Sequence, residues 1–215
     1  MKNVLIIVTT FASSHFANAQ NVASVYINKL EWMANNLNVT VYWDGTPIPE
    51  ARNTKEWRYY NEHKIGCYCK YDNEDCYASM YGYLYNWYAI KYGVAPRCWR
   101  VATKADFDQL VAYLGIDSAA RKLKGTHSWN NDWNGNNKSG FNALAAGCRN
   151  ANGTFSYVGR QAFWWMKPED RTGKEKSLYF FINYDDKLNY EPGNDFGYSV
   201  RCVRDIGKRK PQPCD

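Results

Sequence analysis

The sequence predicts an α+β domain with two main helices, a mostly antiparallel twisted sheet and long loops. Three observations lead to this prediction. Residues 103–115 combine capping residues with the apolar periodicity of an amphipathic helix. Short alternating segments lie near both ends of the chain, separated by Gly, Pro, Asn and Asp. Residues 127–140 consist mostly of Asn, Gly, Trp and Asp, a composition typical of a loop.

The front of the chain is predicted as strand and loop. Residues 26–32 and 39–43 show the alternation of short strands. Asp44-Gly45, with two prolines close behind, indicates a turn followed by an extended loop.

Helices are predicted in the middle of the chain. Residues 77–92 carry rings and a leucine at spacings of three and four, which is the pattern of one helix face. The second helix is predicted to begin after Thr103, with Asp106 completing a capping box, and to end at Gly115. A short helical turn is expected at 119–123. Strands are expected in the final third, at residues 155–158, 162–166, 177–184 and 198–204.

The first residues predict export. A short positive start, an apolar stretch over residues 4–12 and Ala17-Asn18-Ala19 form the three parts of a secretory signal peptide, cleaved after Ala19. We therefore expect a leader over residues 1–19, one domain over 20–205 and a flexible basic tail over 206–215. No later stretch reaches the roughly 18 apolar residues of a membrane-spanning helix, so no transmembrane span is expected.

Export changes how the seven cysteines are interpreted. In an oxidising compartment they are expected to form disulfides rather than a catalytic site, and the pairing is left open. The six candidates are Cys67, Cys69, Cys76, Cys98, Cys148 and Cys202. Cys214, in the basic tail, is expected to be the odd one. A metal site is the alternative, because His63 lies near the first three cysteines, but the spacing matches no common zinc pattern.

Charge does not indicate a nucleic-acid partner. The 27 Lys and Arg against 21 Asp and Glu give a net charge of +6, but the basic residues are scattered rather than gathered in one stripe.

Several segments have the residues, order and spacing of one bacterial family: 31–38 (EWMANNLN), 44–49 (DGTPIP), 83–89 (YLYNWYA), 99–103 (WRVAT) and 197–205 (GYSVRCVRD). Over about residues 27–205 the chain resembles the Fibrobacter succinogenes major paralogous domain family. This resemblance implies a C-type-lectin-like fold related to formylglycine-generating enzymes and to the diversified ligand-binding proteins of retroelement systems.

The resemblance also implies a location. Members are secreted or surface proteins of Bacteroidetes-like bacteria, so the chain is expected to be secreted, periplasmic or on the surface of a Gram-negative cell. The chain departs from the family pattern at Ala95, where many members have Cys, and at Cys98, where they have Gly. The bridge partner of this segment is therefore left open.

Catalysis is not expected. Only His63 and His127 follow the leader, and neither has a surrounding motif that would place a nucleophile and an orienting carboxylate. The resemblance leaves one enzymatic alternative, a copper-dependent oxidase of the formylglycine-generating type. Cys202 lies in a comparable closing strand, but a second thiol at a suitable spacing is not evident.

No cofactor is predicted, although a structural calcium ion stays open. Residues 129–132 and 191–195 resemble the Trp-Asn-Asp and Glu-Pro-Asn calcium motifs of C-type lectins. Each has one inserted residue and their order is reversed, so the match is interpreted as coincidence.

The function expected is that of a non-catalytic binding or structural domain for an extracellular glycan or protein ligand, with a self-associating surface adhesin as an alternative. Exposed rings and amides of the loop are expected to contact the ligand, together with one ring of the Trp164–Trp165 pair. The loop and pair candidates are Trp129, Asn130, Asp132, Trp133, Asn136 and Trp164. The resemblance adds, by region only, Arg160, Gln161, Tyr184, Asp186 and Tyr190.

Overall fold

The computed structural model describes residues 22–168, 177–193 and 195–206. The predicted leader, Cys214 and the tail from residue 207 onward lie outside these residues. The described helices are α1 (Thr54–Glu62), α2 (Asp75–Tyr81), α3 (Trp87–Tyr92), α4 (Lys104–Leu114) and α5 (Ala119–Leu123). The described strands are β1 (Ser24–Ile27), β2 (Leu30–Met33), β3 (Tyr68–Cys69), β4 (Leu84–Tyr85), β5 (Arg100–Val101), β6 (Ala146–Arg149), β7 (Phe155–Val158), β8 (Gln161–Met166), β9 (Leu178–Asn183), β10 (Leu188–Pro192) and β11 (Cys202–Asp205).

The strands form antiparallel-rich sheets, and the prediction of a mixed helix and sheet domain is confirmed. One sheet has the order β1-β2-β11-β5, so strands near the two ends of the described chain lie side by side. A second sheet has the order β10-β9-β8-β6-β7, in which only the β6–β8 pair is parallel. Strands β3 and β4 form a separate hairpin-like pair. The described residues form five α-helices rather than the two main ones expected.

Strand β8 is buried on both faces, because hydrophobic clusters cover both sides of the five-stranded sheet. Trp164 faces one cluster and Trp165 the other, and both side chains are fully buried. The expectation that one ring of this pair is exposed was wrong. The two side chains point to opposite faces as expected, but neither face of the sheet meets solvent at this strand.

The predicted helix over residues 77–92 was wrong, since two short helices and a strand replace it. Gly82 ends α2 with φ 74°, a backbone conformation that a side chain disfavours. Asn86 then begins α3 by accepting a hydrogen bond from the Ala89 amide at 3.1 Å. Two residues of β4 lie between these stops, so Leu84 and Tyr85 belong to the β3–β4 pair and not to a helix face.

Helix α4 confirms the capping prediction. Thr103 and Asp106 form a reciprocal capping box, and Gly115 ends the helix. Its apolar face is buried, and Phe107 stacks on Phe180 with ring centroids 4.4 Å apart. Arg100 extends the box with two hydrogen bonds to the Asp106 carboxylate, at 2.5 and 2.9 Å.

Other elements differ in detail from the expectations. The strand expected over 26–32 is a hairpin of β1 and β2 that turns at Asn28, which has φ 56°. Residues 39–43 form only an isolated bridge. The short helix at α5 and the strand at β7 occur as predicted, whereas α1, β6 and β10 were missed.

A buried polar network joins the segments around the core. Arg201 is 1% exposed, and its guanidinium donates to the carbonyl oxygens of Met33 and Phe141, both at 2.7 Å. It also donates to the Asn36 side-chain oxygen at 2.8 Å, which accepts a second bond from the Trp164 indole at 2.8 Å. One amide side chain therefore links the closing segment of the chain to the central strand β8.

Replacing Asn36 should test this network. The change Asn36→Ala leaves buried donors of Arg201 and Trp164 without an acceptor, so we expect the free energy of unfolding to fall by about 3 kcal/mol. The matched control is Asn35→Ala, because Asn35 is the exposed neighbour. Urea unfolding followed by tryptophan fluorescence would measure both. Equal stability of the two variants would contradict the assigned role of Asn36.

Stability should depend on pH through Asp106. Burial acts to raise the pKa of Asp106, but the Arg100 salt bridge and the Thr103 hydrogen bonds outweigh it and leave that pKa below its ordinary value. A carboxyl with a lowered folded-state pKa stabilises the fold above its unfolded pKa, and this contribution is lost as the pH falls through the folded value. We expect Asp106→Asn to cost about 2 kcal/mol at pH 7.

The stability difference between wild type and Asp106→Asn should shrink as the pH falls from about 5 to about 2, because this range brackets the ordinary pKa of an aspartate and values below it. Asp108→Asn is the control, since Asp108 is exposed and its ion pair with Lys104 lies at the surface. Urea midpoints across the pH range provide the measurement. A pH-independent cost of Asp106→Asn would refute the electrostatic explanation.

Candidate functional site

The loop over residues 127–140 contains neither helix nor strand, as predicted, but its first tryptophan is buried. Trp129 is 4% exposed, and its indole donates to the Ala143 carbonyl at 2.9 Å. The ammonium of Lys124 lies 4.4 Å from the ring centroid of Trp129. The expectation that Trp129 is exposed was therefore wrong, because the loop folds back over the core and uses this ring to anchor itself.

The rest of the loop is held against α5 by backbone contacts. The Asn136 amide donates to the Arg121 carbonyl at 2.9 Å, and the Gly135 amide donates to the Gly125 carbonyl at 2.9 Å. A Cβ at Gly135 would lie 2.5 Å from atoms of Lys124, so only glycine allows this approach. Asp132 and Asn136 are exposed on this fixed loop.

Five of the predicted ligand residues meet at one place, which we call the Tyr184 surface: Asn130, Trp133, Arg160, Tyr184 and Asp186. The rings of Trp133 and Tyr184 lie 4.7 Å apart at 35°, and Tyr184 is 38% exposed. The Arg160 guanidinium lies 5.9 Å from the Tyr184 ring centroid. Residues from the long loop, the β7–β8 turn and the β9–β10 turn thus form one exposed group.

Asn130 and Gln161 complete the edge of this surface. The Asn130 amide donates to the Gly159 carbonyl at 2.7 Å. A Cβ at Gly159 would lie 2.2 Å from the Asn130 side-chain oxygen, so the asparagine rests directly on the glycine before Arg160. Gln161 pairs with Asn183, the residue before Tyr184. The predicted residues of this region are therefore neighbours in space.

A buried lysine holds the surface together. Lys124 is 1% exposed, and its ammonium contacts the Asp186 carboxylate at 2.5 Å and the Tyr184 carbonyl at 3.1 Å. Because the same ammonium lies over the Trp129 ring, it joins the β9–β10 turn to the loop. Lys124 was not predicted as a site residue, because nothing in its neighbourhood in the sequence distinguishes it from the other lysines.

Two predicted ligand residues have structural positions instead. Trp164 is fully buried and donates to Asn36, so it was wrong as a ligand candidate. Tyr190 is half-buried on β10, where it packs on Phe180 and has the Lys104 ammonium 4.4 Å from its ring centroid.

The expected disulfide framework is not formed by five of its six candidates. Cys67, Cys69, Cys76, Cys148 and Cys202 are free thiols in the structure, and all but Cys76 are buried. Cys98 is not among the free thiols. An oxidising compartment gives thiols a chemical tendency to pair, but a bridge also requires two cysteines whose side chains meet in disulfide geometry.

Burial controls the chemistry of these thiols. It raises the pKa of Cys69 to about 11 and that of Cys148 to about 12. Burial also raises the pKa values of Cys67 and Cys202. These four sulfurs are consequently protonated near neutral pH and are poor nucleophiles and poor metal ligands.

The proposed alternative metal cluster is not assembled. His63 stacks on Tyr59 with ring centroids 4.1 Å apart, and its Nδ1 lies 2.9 Å from the Tyr59 carbonyl. Within residues 22–168, 177–193 and 195–206, no three His, Cys, Asp or Glu side chains lie where they could hold one ion. Glu191, from the second lectin-like fragment, instead accepts a hydrogen bond from the Tyr179 hydroxyl at 2.7 Å.

Comparison with known families agrees with the resemblance. The family model described as the Fibrobacter succinogenes major domain matches residues 25–204. The chain belongs to this family. No curated protein and no solved structure matches the chain. In the described ranges, no helix combines the length and apolar character needed to cross a bilayer.

Thiol accessibility offers a direct test of the cysteine positions in this Fibrobacter succinogenes major domain protein. We expect iodoacetamide to label the Cys76 peptide rapidly in the native protein, because Cys76 is exposed. The peptides of Cys67, Cys69, Cys148 and Cys202 should label only in denaturant, since burial and a raised pKa both suppress reaction. Peptide mass spectrometry after timed labelling measures this, with Cys76→Ser as the control. Rapid native labelling of the buried four would contradict the structure.

Proposed function

We propose that the protein is an exported, non-catalytic binding domain that recognises a glycan through the Tyr184 surface. The observation that supports this most is the contact between the exposed Tyr184 ring and the half-buried Trp133 ring, flanked by the Arg160 guanidinium and the Asn130 amide. Flat rings contact the apolar faces of sugars, and the adjacent amide and guanidinium groups supply hydrogen bonds to hydroxyls.

Rigidity supports the same proposal. The Lys124–Asp186 contact and the buried Trp129 anchor fix the two turns that contribute Tyr184 and Trp133. A surface that is ordered before binding loses little conformational entropy when the ligand arrives. Aromatic side chains add to this advantage because each has only two rotatable side-chain bonds.

The chemistry of the thiols weighs against the copper-dependent oxidase. A copper site of that type needs thiolates, but burial raises the pKa values of Cys67 and Cys202 and favours their neutral forms. At the Tyr184 surface, the Asp186 carboxylate is paired with the Lys124 ammonium. This supports binding rather than turnover.

Export and a C-type-lectin-like fold are part of the proposal. Export rests on the leader pattern of residues 1–19, and burial of four free thiols would shelter them from an oxidising environment. The lectin-like fold rests on the family resemblance, and the pairing of β2 with β11 near the two ends of the described chain is consistent with it.

A glycan array of neutral oligosaccharides tests the function. We expect hits whose affinity falls at least about tenfold in Tyr184→Ala and Trp133→Ala, because each change removes a stacking ring. Tyr113→Ala is the matched control, since Tyr113 is a 61% exposed tyrosine of α4 and is not among the residues of the Tyr184 surface. Equal losses in the control, or a blank array with folded protein, would overturn glycan recognition at this site.

A further inference from the structure

A concave site lies at the opposite end of β8 from the Tyr184 surface. It is a cleft of about 420 Å³ between the end of α3, the segment that follows it and the residue after β8. We call it the basic cleft, and its relevant lining residues are Trp43, Lys91, Arg97, Trp99, Arg100 and Lys167. Its volume lies within the range of pockets that hold small organic ligands.

The charge in the basic cleft is unbalanced. Of its described lining residues, four are cations and none is Asp or Glu. Arg100 is neutralised by Asp106 and, at 3.6 Å, by Asp205. Across the described residues, no salt bridge involves Lys91, Arg97 or Lys167. Three positive charges therefore face a shared space in which the described residues supply no fixed counter-charge, which favours an anionic ligand.

Two tryptophan rings stand beside these cations. Trp43 is 63% exposed and packs near Gly93, the left-handed residue that ends α3. Trp99 is held on one side by the Arg204 guanidinium, 4.8 Å from its ring centroid. Arg204 is itself fixed by Glu31 at 2.5 Å. An exposed ring and a fixed ring thus border the charged space.

We propose that the basic cleft binds an acidic saccharide, with carboxylate or sulfate groups on the cations and a sugar ring against Trp43. The three unpaired cations come from three separate segments, the last turn of α3, the loop after it and the residue after β8. Separated cations match acid groups repeated along a sugar chain better than one compact phosphate cluster. Charged groups attract and orient such a chain, and the ring supplies apolar contact.

The cleft is independent of the proposed glycan surface. Gln161 and Lys167 mark the two ends of β8, and six residues at about 3.3 Å per residue place these ends about 20 Å apart. Failure of one site therefore leaves the other untouched.

Calorimetry with defined sugars tests the proposal. The probes are an oligogalacturonate tetramer, a sulfated tetrasaccharide, a neutral tetrasaccharide and adenosine monophosphate. We expect one or both acidic sugars to bind, more weakly at higher salt because exposed charges are screened. The triple variant Lys91→Gln, Arg97→Gln, Lys167→Gln should lose at least about tenfold in affinity, and Trp43→Ala several-fold.

The matched control carries Lys29→Gln, Lys55→Gln and Lys138→Gln, three exposed lysines outside the cleft. It removes the same net charge and should change affinity by less than about twofold. Thermal unfolding of each variant establishes that it is folded. Tyr184→Ala should leave acidic-sugar binding unchanged, which separates this site from the proposed function.

Several outcomes would overturn the assignment. Equal losses in the two triple variants would mean that net charge alone attracts the sugars. Equal binding of the neutral sugar would remove the need for the cations, and stronger binding of the nucleotide would replace the saccharide class. No binding by folded protein at low salt would refute the site.

Discussion

The fold depends on a buried cation, Arg201, that has no carboxylate partner among the residues described. Arg201 lies in the core and directs its guanidinium at carbonyl oxygens and the Asn36 side chain. Burial lowers its pKa to about 9, so the surrounding oxygens must keep it charged. The carbonyls of Phe141 and Asn142 belong to a loop, and that of Met33 belongs to the last residue of β2. These segments therefore have one arrangement in which the guanidinium is satisfied.

A second buried guanidinium, that of Arg149, is stabilised by aromatic rings as well as by carbonyl oxygens. Arg149 is fully buried between the rings of Trp57 and Phe155, each 4.8 Å from its guanidinium carbon, and it donates to the Ala51 carbonyl at 2.8 Å. With few long helices, the domain uses buried arginines and tryptophans as cross-links between loops. Because many aromatic side chains serve as such cross-links, they are buried, and the surface is less aromatic than the composition alone would suggest.

Local signals predicted local structure well. Thr103, Asp106 and Gly115 define α4 because capping depends only on neighbours in sequence. Within residues 77–92, the spacing of the rings predicted one continuous helix, whereas the local stop signal at Gly82 ends α2 there. Burial was harder to predict, because Trp164 and Trp129 are covered by segments distant in the chain. The Tyr184 surface was located by region, whereas Lys124 and the basic cleft arise from tertiary folding. Cations scattered in sequence, which indicated no partner, converge in space.

Strand β8 is buried from Ala162 to Met166, and it fixes the distance between the two exposed sites near its ends. It places the Tyr184 surface and the basic cleft about 20 Å apart, a spacing that neither end can adjust without disturbing both hydrophobic clusters. A short ligand can occupy only one end. A polymer long enough to reach both would gain from effective concentration, since binding at one end confines the rest of the chain near the other. The domain would then select its ligands by length as well as by composition.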